Sequence, residues 1–527
     1  MDELVADVVV IGAGAAGVCA ALEAADAGAD VLLLDRFSGG GASRVSGGVI
    51  YAGGGTAQQL AAGVSDSVDA MHAYLSLETG GVVAERTLRR FCESSPAMIT
   101  WLEARGVPFE GSLCPYKTSY PSNAHYLYYS GSEASGGFRD AAPPAPRGHR
   151  VKGSGTSGKL LMSRLLSAAR HRGVRVLPQT RVRDLVVTDG AVTGVVADSL
   201  RAAPRWARAR HARLAAYSAK PGIYVPPVRR SLHRRVEQLE RRHARELRIV
   251  ARRGVVLAAG GFIANREMVR EHAPAYRGGL ALGTSADDGS GIRLGLSAGG
   301  RAAELDRISA WRFLTPPAVF LGGLLVDADG RRIIDESRYG AAIGERMITA
   351  HGGLGWLLVD EPVVASARRD GRGQGQWFAR LQLRYLLDRG RVTGASIEEV
   401  ARRAGVDPAG LRATYDEYRR GPDPTGKPAE FARPLDEPPF SLIDVSVKPN
   451  LGYPCPMLTL GGLVVDEDTG AVVGVPGLYA AGRTAVGICS RSYVSGLSLA
   501  DCVFSGRRAG QHSALEDDRV DKNENVF

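Results

Sequence analysis

The chain has 527 residues, 44% of them apolar, and a net charge of +10 at pH 7. This length is enough for two or three domains with a large core, and no run approaches the roughly 18 uninterrupted apolar residues of a membrane-spanning helix. Six cysteines without a CxxC pair and ten scattered histidines argue against a metal site and favour a reduced, cytoplasmic protein.

The N-terminal segment predicts a strand, a tight turn, a helix and a second strand. "DVVVIG" (7–12) is a continuous apolar run typical of a buried parallel strand. "AAGVCAALEAADAG" (15–28) has the alanine-rich character of a helix, and "ADVLLLD" (29–35) is the second strand. A GxGxxG turn lies between the first strand and the helix, which is the arrangement of a dinucleotide-binding site.

Each glycine of this turn has its own expected role. Gly12 and Gly14 permit close approach of a pyrophosphate, and Gly17 permits close packing of helix on strand. The helix N-terminus would stabilise the anion, and Asp35, at the end of the second strand, can bind ribose hydroxyls.

A Gly/Ser-rich loop follows at 38–56, and residues 66–105 are predicted to be helical. Residues 114–150 are rich in Tyr and Pro, residues 157–174 predict another helix, and residues 174–197 predict short strands with a DG turn. The tyrosines of the Tyr-rich stretch are interpreted as a pocket wall that suits a flat hydrophobic substrate. They are Tyr116, Tyr120, Tyr126, Tyr128 and Tyr129.

The positive charge is confined to one segment. Residues 199–250 hold thirteen Arg, one Lys and three Glu, a balance of +11 that leaves the remainder close to neutral. We interpret 199–247 as an insertion between two strands of one domain, its second half a helix with Leu232, Val236, Leu239 and Leu247 on one face. Four roles stay open: a solvated hairpin, a subunit contact, a peripheral contact with the inner face of the membrane, or a nucleic-acid patch. The last is least favoured, because no recognised module accompanies the charge.

The C-terminal third returns to sheet character after a mixed segment. Residues from about 275 to 445 predict a separate lobe, 461–483 predict strands, and 516–527 predict a disordered tail. The stretch "RSYVSGLSLADCVFSGRRAG" (491–510) predicts a helix that Ser498 begins and Gly510 closes. Tyr493, Ser495 and Gly496 stand in front of that helix.

Three stretches, in chain order, resemble the flavoproteins of the fumarate reductase and succinate dehydrogenase group. They are "GGGASRVSGG" (39–48), "ARRGVVLAAGGF" (251–262) and "GLYAAGR" (477–483). The resemblance implies an α/β fold with a Rossmann-like, GR2-type FAD-binding domain formed by residues 1–275 and 446–527. An α+β substrate-binding cap domain would be inserted at 276–445. The loop after the second strand has no histidine, so FAD would be bound non-covalently.

The resemblance also implies which residues bind FAD. Expected cofactor contacts are Gly12, Gly14, Ala15, Ala16, Gly17, Asp35, Arg36, Ser43, Ser46, Gly47, Gly48, Val182, Ala259, Gly260, Asp288, Gly482, Ser498 and Leu499. The helix that begins near Ser498 would direct its positive end at the flavin and favour the reduced anion. No metal ligand is expected.

The dicarboxylate ligands of the fumarate enzymes are missing. Their motif resembling "GVHGANRLGGNALAD" reads "GICSRSYVSGLSLAD" here, which puts Cys489 in place of the histidine and Tyr493 in place of the arginine. Arg491 is two residues out of register. A tyrosine in place of a carboxylate-binding arginine indicates a neutral oxygen acceptor such as a ketone.

The chain most resembles the 3-ketosteroid dehydrogenases, and within them the Δ4-(5α) type. The stretches that carry this resemblance are "YVSG" (493–496), "DESRYG" (335–340) and "YLYYSG" (126–131), whereas the Tyr-Pro-Gly motif of the Δ1 type is absent. The implied reaction introduces a C=C bond beside the ketone of a steroid-like substrate.

The resemblance gives each catalytic residue a role. Tyr493 and the amide of Gly496 would donate to the ketone oxygen, Ser495 would take the α-proton, and Tyr339 would relay it to solvent. Hydride would pass to flavin N5, and an electron acceptor of unspecified identity would reoxidise the cofactor. Three alternatives stay open: a Δ1-dehydrogenase, an ene-reductase acting on an enone, and a flavin-containing membrane or interaction scaffold.

Overall fold

The computed structural model describes residues 2–515, so the tail predicted to be disordered, 516–527, lies outside the described residues. Within the described range the chain forms nineteen strands: β1 (Asp2–Ile11), β2 (Val31–Asp35), β3 (Val49–Tyr51), β4 (Leu127–Tyr128), β5 (Gly148–Arg150), β6 (Arg175–Pro178), β7 (Thr180–Thr188), β8 (Ala191–Ser199), β9 (Arg245–Leu257), β10 (Leu280–Ala281), β11 (Ala302–Ala303), β12 (Ile308–Ala310), β13 (Leu324–Val326), β14 (Trp356–Val359), β15 (Arg391–Gly394), β16 (Phe440–Asp444), β17 (Pro456–Thr459), β18 (Gly462–Leu463) and β19 (Leu478–Ala480).

The same residues form seventeen α-helices: α1 (Ala15–Asp26), α2 (Gly41–Val45), α3 (Ala57–Ala61), α4 (Val68–Thr79), α5 (Glu85–Glu103), α6 (Phe138–Ala141), α7 (Gly158–His171), α8 (Arg205–Ala219), α9 (Pro226–His243), α10 (Arg266–His272), α11 (Ser290–Ser297), α12 (Gly340–His351), α13 (Glu361–Gln374), α14 (Trp377–Asp388), α15 (Ile397–Ala404), α16 (Pro408–Arg420) and α17 (Leu497–Ser513). None of these helices is long and apolar enough to cross a membrane.

A seven-stranded sheet positions the predicted nucleotide turn. Its strand order is β6–β2–β1–β9–β8–β7, with β19 beside the C-terminal part of β9. β1, β2, β6, β9 and β19 pair in parallel, whereas β8 pairs antiparallel with both of its neighbours, β9 and β7. Alternate residues of β1 belong to apolar cores on opposite faces of the sheet. Val8 and Val10 pack with α1 and α17 on one face, and Val9 and Ile11 pack on the opposite face. Burial on both faces explains the continuous apolar run.

α1 and α17 pack closely, and glycine makes this possible. A Cβ on Gly506 would lie 2.4 Å from the carbonyl oxygen of Ala16, and one on Gly510 would lie 2.1 Å from that of Ala20. Gly510 therefore serves packing, and the prediction that it closes the helix is wrong, because α17 continues to Ser513.

A second apolar core lies within residues 314–453. It is built on a four-stranded antiparallel sheet, β13–β14–β16–β15, with helices α12 to α16 around it. The small sheet β10–β17–β12 joins two strands that precede this core, β10 and β12, to one that follows it, β17. The proposed domain limits at 276 and 445 stay a prediction.

The basic segment forms a helical hairpin between β8 and β9. Residues 200–244, hereafter the basic hairpin, contain α8, a short turn at Gly222–Tyr224 and α9. The prediction that Leu247 shares a helix face with Val236 is wrong, because Leu247 lies in β9 and pairs with Ala197 of β8. Val236 is fully buried.

The predicted helical region 66–105 contains two helices, α4 and α5. Gly80 and Gly81 both adopt positive φ, 59° and 71°, between α4 and α5. A left-handed glycine ends a helix at little steric cost, so the break occurs where the sequence has the Gly-Gly pair.

Candidate active site

A cavity of about 550 Å³ runs from the carboxyl end of the seven-stranded sheet to the segment before α17. Gly12, Asp35 and Gly260 line it where β1, β2 and β9 end. Tyr493 and Ser495 line the same cavity. One continuous space therefore serves both predicted sites.

The Gly-rich turn forms a cradle for a phosphate group. Gly12 has φ +104°, and a Cβ there would lie 2.4 Å from the carbonyl oxygen of Ala258. A Cβ on Gly14 would meet only the hydroxyl of Ser43, at 3.8 Å, so this side of the turn is open to a ligand. No side chain caps α1, which leaves the helix N-terminus available to an anion. These features fit the pyrophosphate of FAD.

Most predicted cofactor residues line the cavity. They are Gly12, Gly14, Ala15, Ala16, Asp35, Arg36, Ser43, Ser46, Gly47, Gly48, Val182, Ala259, Gly260, Asp288, Ser498 and Leu499. Gly17 and Gly482 are not among the lining residues. A Cβ on Gly17 would lie 1.8 Å from the carbonyl oxygen of Gly12, and one on Gly482 would lie 2.8 Å from Ala16 Cβ, so both glycines allow close packing behind the cradle.

Asp35 and Arg36 have partners within the protein. The Asp35 carboxylate accepts hydrogen bonds from the backbone amides of Ala13, Phe37 and Gly39, at 3.0, 2.8 and 3.1 Å. It therefore fixes the cradle to the loop after β2.

The Arg36 guanidinium is held by two carboxylates. It donates to Glu240 at 3.0 and 2.8 Å and to Asp288 at 3.3 Å. Glu240 belongs to the basic hairpin and was not singled out from the sequence, where it is one of few acidic residues in an arginine-rich run.

The four predicted catalytic residues lie together. The rings of Tyr339 and Tyr493 are 6.1 Å apart, and Tyr493 stacks on Trp311 at 5.1 Å. The amide of Ser495 donates to the carbonyl oxygen of Ser130 at 3.1 Å, and the carbonyl oxygen of Gly496 accepts from the amide of Tyr51 at 3.2 Å. These backbone bonds fix the segment in front of α17.

The helix starts one residue earlier than predicted, and its cap differs. Gly496 is the N-cap residue, with φ +92°, and a Cβ there would lie 2.7 Å from the amide nitrogen of Tyr51. The expected helix-start role of Ser498 is therefore wrong. No side chain caps α17, so its N-terminus is open where Ser498 and Leu499 line the cavity.

Ser495 has a partner that the sequence did not indicate. Its hydroxyl lies 3.0 Å from the hydroxyl of Tyr128, which is fully buried. Of the five tyrosines expected to form a pocket wall, Tyr120 lines the cavity. The expectation is wrong for Tyr116, Tyr126, Tyr128 and Tyr129, which are not among its lining residues. Alternation along a strand places Tyr126 and Tyr128 on the same face. It does not show that only the Tyr128 hydroxyl contacts Ser495.

The wall is built instead from aromatic residues distant in sequence. They are Trp311, Phe313, Trp377, Phe378 and Tyr453.

Burial keeps the phenols of this site protonated. It raises the pKa of Tyr493, and a hydrogen bond from the Gly496 amide lowers that pKa only in part. Burial also raises the pKa of Tyr339 well above its ordinary value, with further increases from Tyr493 and Tyr128 and a smaller opposing effect of the Ser495 hydroxyl. At neutral pH these residues are hydrogen-bond donors. A tyrosinate base is disfavoured.

A small polar cavity of about 10 Å³ lies against Tyr339. Lys117, Glu336 and Arg338 are among the residues that line it. This volume is close to the minimum that holds one water molecule. Tyr339 lines both cavities and therefore lies between the substrate space and a group of ionisable side chains.

The positions that bind dicarboxylates in the fumarate enzymes are occupied differently here. The buried Cys489 thiol donates to Asp501 at 3.5 Å. Arg491 pairs with Glu304 at 2.8 Å and is not among the cavity-lining residues. Among the described residues that line the cavity there is no histidine, and Arg483 is paired with Asp287 at 2.7 Å.

The sequence is similar to those of known flavoproteins, in agreement with the site described above. Residues 7–496 match the family described as FAD binding domain. The chain is 39% identical over 495 residues to 3-oxo-5-alpha-steroid 4-dehydrogenase of Comamonas testosteroni, covering 90% of this chain and 92% of that enzyme. It is 26% identical over 533 residues to a probable fumarate reductase, Ifc3, of Shewanella frigidimarina, covering 96% of this chain and 74% of that protein.

A solved structure has the same architecture over nearly the whole chain. The crystal structure of 3-ketosteroid-delta4-(5alpha)-dehydrogenase from Rhodococcus jostii RHA1, in complex with 4-androstene-3,17-dione, superposes with a TM-score of 0.81. The two sequences are 30% identical, and the match covers 98% of each chain.

Proposed function

Because the chain belongs to the FAD binding domain family of flavoproteins, we propose that it is a dehydrogenase that introduces a C=C bond beside the ketone of a steroid-like polycyclic substrate. It is an FAD-dependent oxidoreductase. One observation supports the substrate class. At one end of the cavity, Tyr493 and Ser495 lie beside an aromatic wall, where the fumarate enzymes would have arginines and a histidine. The Δ4-(5α) position is favoured, because the 39% identical relative is a 4-dehydrogenase.

Tyr493 and Gly496 bind and polarise the ketone oxygen in this proposal. Burial keeps the Tyr493 hydroxyl protonated, so it is available as a donor. Donors aimed at the oxygen stabilise the enolate-like charge that develops as the α-carbon loses its proton. Bound FAD supplies the acceptor for the hydride that leaves the β-carbon. Loss of one proton and one hydride accounts for the new double bond.

Ser495 accepts the α-proton only if its own proton leaves in the same step. A free serine is a poor base. The raised pKa of Tyr339 means that its phenol is not ionised before the reaction begins. Tyr339 adjoins the small polar cavity, whereas the Tyr128 hydroxyl is buried against Ser495. We therefore assign Tyr339 the onward transfer and Tyr128 the orientation of the Ser495 hydroxyl.

A panel of ketones tests the proposed function. The purified yellow holoenzyme is mixed anaerobically with a 5α-3-ketosteroid, a 4-ene-3-ketosteroid and a simple enone, and flavin absorbance is followed. The proposal predicts bleaching by the 5α-3-ketosteroid. If no ketosteroid bleaches the flavin, the proposed substrate class is wrong, and turnover of the simple enone by the pre-reduced enzyme would favour the ene-reductase alternative.

Contact of the basic hairpin with an anionic membrane surface stays a prediction. Tyr217 and Val228 are about half exposed, at 49% each, beside exposed arginines, which supports a weak, charge-dependent contact. Sedimentation with anionic vesicles, compared between the full chain and a variant without the hairpin, tests it. Equal sedimentation of the two proteins would remove the membrane contact.

A further inference from the structure

The basic hairpin borders the cavity. It leaves the main sheet after β8 and returns in β9, and Tyr224 at its turn lines the cavity. α9 carries two carboxylates, Glu237 and Glu240, and both face Arg36, at 4.0 and 2.8 Å. The two acidic residues of this otherwise arginine-rich helix therefore face Arg36, one of the expected FAD contacts.

The first attachment lies at the adenosine end of the expected dinucleotide. Arg36 follows Asp35 at the carboxyl end of β2, the strand end that faces the adenosine ribose in this class of fold. The side chains of Arg36 and Glu240 are 9% and 11% exposed, so their ion pair is shielded from water and from salt.

His211 of α8 strengthens the same attachment. Its Nδ1 accepts from the Gln179 side chain at 3.1 Å, which leaves Nε2–H to donate to Glu240 at 3.2 Å. The imidazole also packs against Phe37, with ring centroids 6.1 Å apart. Both helices of the hairpin are thereby fixed to the loop after β2.

The second attachment lies on the segment 281–285, which forms another part of the cavity lining. The Arg229 guanidinium donates to the carbonyl oxygens of Ala281 and Gly283 at 2.9 and 3.1 Å. Ser218 and Ser285 share a hydrogen bond of 3.0 Å. Gly283 itself lines the cavity, so these bonds hold the edge of the site.

We propose that the basic hairpin is a strap that retains non-covalently bound FAD, with Glu240, His211 and Arg229 as positioning residues that fasten it on both sides of the cofactor. It slows release of the cofactor by closing the cavity over the adenosine half. The inference rests on FAD binding and is independent of the ketone substrate. The remaining arginines of the hairpin point to solvent and take no part in it.

The rate at which the holoenzyme releases FAD tests directly whether the basic hairpin retains the cofactor. Ser199 and Arg245 are paired across β8 and β9, so residues 200–244 can be replaced by an Asn-Gly turn that closes a two-residue hairpin. FAD release is followed, without substrate, by the rise in flavin fluorescence after the holoenzyme is diluted far enough that released FAD does not rebind. We expect the replacement to accelerate release at least about tenfold, because it removes several buried, charge-assisted bonds around the site.

Two point variants make the test independent of folding of the shortened chain. Glu240→Gln removes the charge that holds Arg36 and is expected to accelerate release about threefold or more. Glu246→Gln is the matched control, since Glu246 is exposed and pairs with Arg183 on the surface at 2.8 Å; its release rate should equal that of the unaltered protein. Release rates within a factor of about two for both the replacement and Glu240→Gln would overturn the proposal. A raised KM for the ketone with unchanged FAD release would also overturn it.

Discussion

At the scale of single residues, Tyr493 is the group on which the chemistry depends most. Replacing it by Phe keeps the stacking on Trp311 and removes the hydroxyl that is expected to bind the ketone oxygen. Loss of one such donor typically lowers kcat about 10²–10³-fold. We expect Tyr493→Phe to retain FAD and to reduce the rate of flavin reduction by that factor, measured by anaerobic stopped flow. An unchanged rate would remove Tyr493 from the mechanism.

Tyr128 is expected to act through Ser495. The Tyr128→Phe variant removes the hydroxyl 3.0 Å from Ser495 Oγ and leaves the packing of a buried ring in place. We expect a fall in kcat of about tenfold with KM unchanged, which is less than the roughly 10²–10⁴-fold contribution of a group that transfers the proton itself, because Tyr128 only orients Ser495.

Tyr126→Phe provides the control for Tyr128. It makes the same chemical change two residues away, where the hydroxyl bonds the carbonyl oxygen of Gly153 at 3.3 Å. Equal kcat values for the two variants would contradict the role given to Tyr128. A solvent isotope effect that changes in Tyr128→Phe alone would support it, because a purely structural effect does not alter proton transfer.

The sequence indicated a set of candidate catalytic residues, whose roles stay a prediction, but it did not indicate the side chains that they contact. Tyr339, Tyr493 and Ser495 were identified from motifs, and they lie together. The Ser495–Tyr128 contact joins residues 367 positions apart, and nothing local to either residue encodes it. The charge of Glu240 was visible, but its partner Arg36 lies 204 positions away.

At the scale of elements, the start of α17 depends on a glycine. Gly496 has φ +92°, and an added Cβ would meet the Tyr51 amide nitrogen at 2.7 Å. We expect Gly496→Ala to lower the free energy of unfolding by about 1–3 kcal/mol or more and to impair turnover by displacing the helix N-terminus.

Gly373→Ala is the matched control for this helix start. Gly373 lies in α13, and its added Cβ would meet nothing within 4 Å. This variant should be neutral or stabilised by up to about 1 kcal/mol. Chemical denaturation of both variants measures the difference, and equal destabilisation would contradict the account.

The attachment of the basic hairpin should weaken in acid. Burial opposes ionisation of Glu240, but hydrogen bonds from His211 and Arg36 outweigh it and lower its pKa from 4.5 to about 2. A lowered pKa in the folded state stabilises the attachment above pH 4.5, and this contribution is lost as the pH falls toward 2.

Rates of FAD release over this pH range measure that loss. Release should accelerate as the pH falls, and the acceleration should be smaller in Glu240→Gln, which has no carboxylate to protonate at this position. Parallel pH profiles of the two proteins would show that Glu240 does not carry the effect.

Local sequence patterns predicted an element well where its structure depends only on residues within the same segment. The strand–turn–helix at 7–28 follows from an apolar run and three glycines. The end of α9 at His243 depends instead on pairing of the following residues with both β1 and β8, which helical periodicity does not report. Helical periodicity therefore assigns Leu247 to α9, although it lies in β9.

At the scale of the whole molecule, family membership and FAD dependence were predictable and are confirmed. The resemblance extended over distant motifs in a fixed order, and the family match spans residues 7–496. The inward contacts of the basic hairpin were not predictable, because its arginine-rich composition reflects its solvent-exposed face. The residues that bind the rest of the fold, such as Glu240 and Arg229, have partners distant in sequence.

One single-turnover experiment tests the central claim most directly. Holoenzyme is mixed anaerobically with one equivalent of a 5α-3-ketosteroid, flavin absorbance is recorded, and the steroid product is identified by mass spectrometry and NMR. The account predicts stoichiometric bleaching and a product with one new double bond between the α- and β-carbons at C4 and C5, with bleaching strongly slowed in Tyr493→Phe. Absence of bleaching, or a product desaturated at C1 and C2, would contradict it.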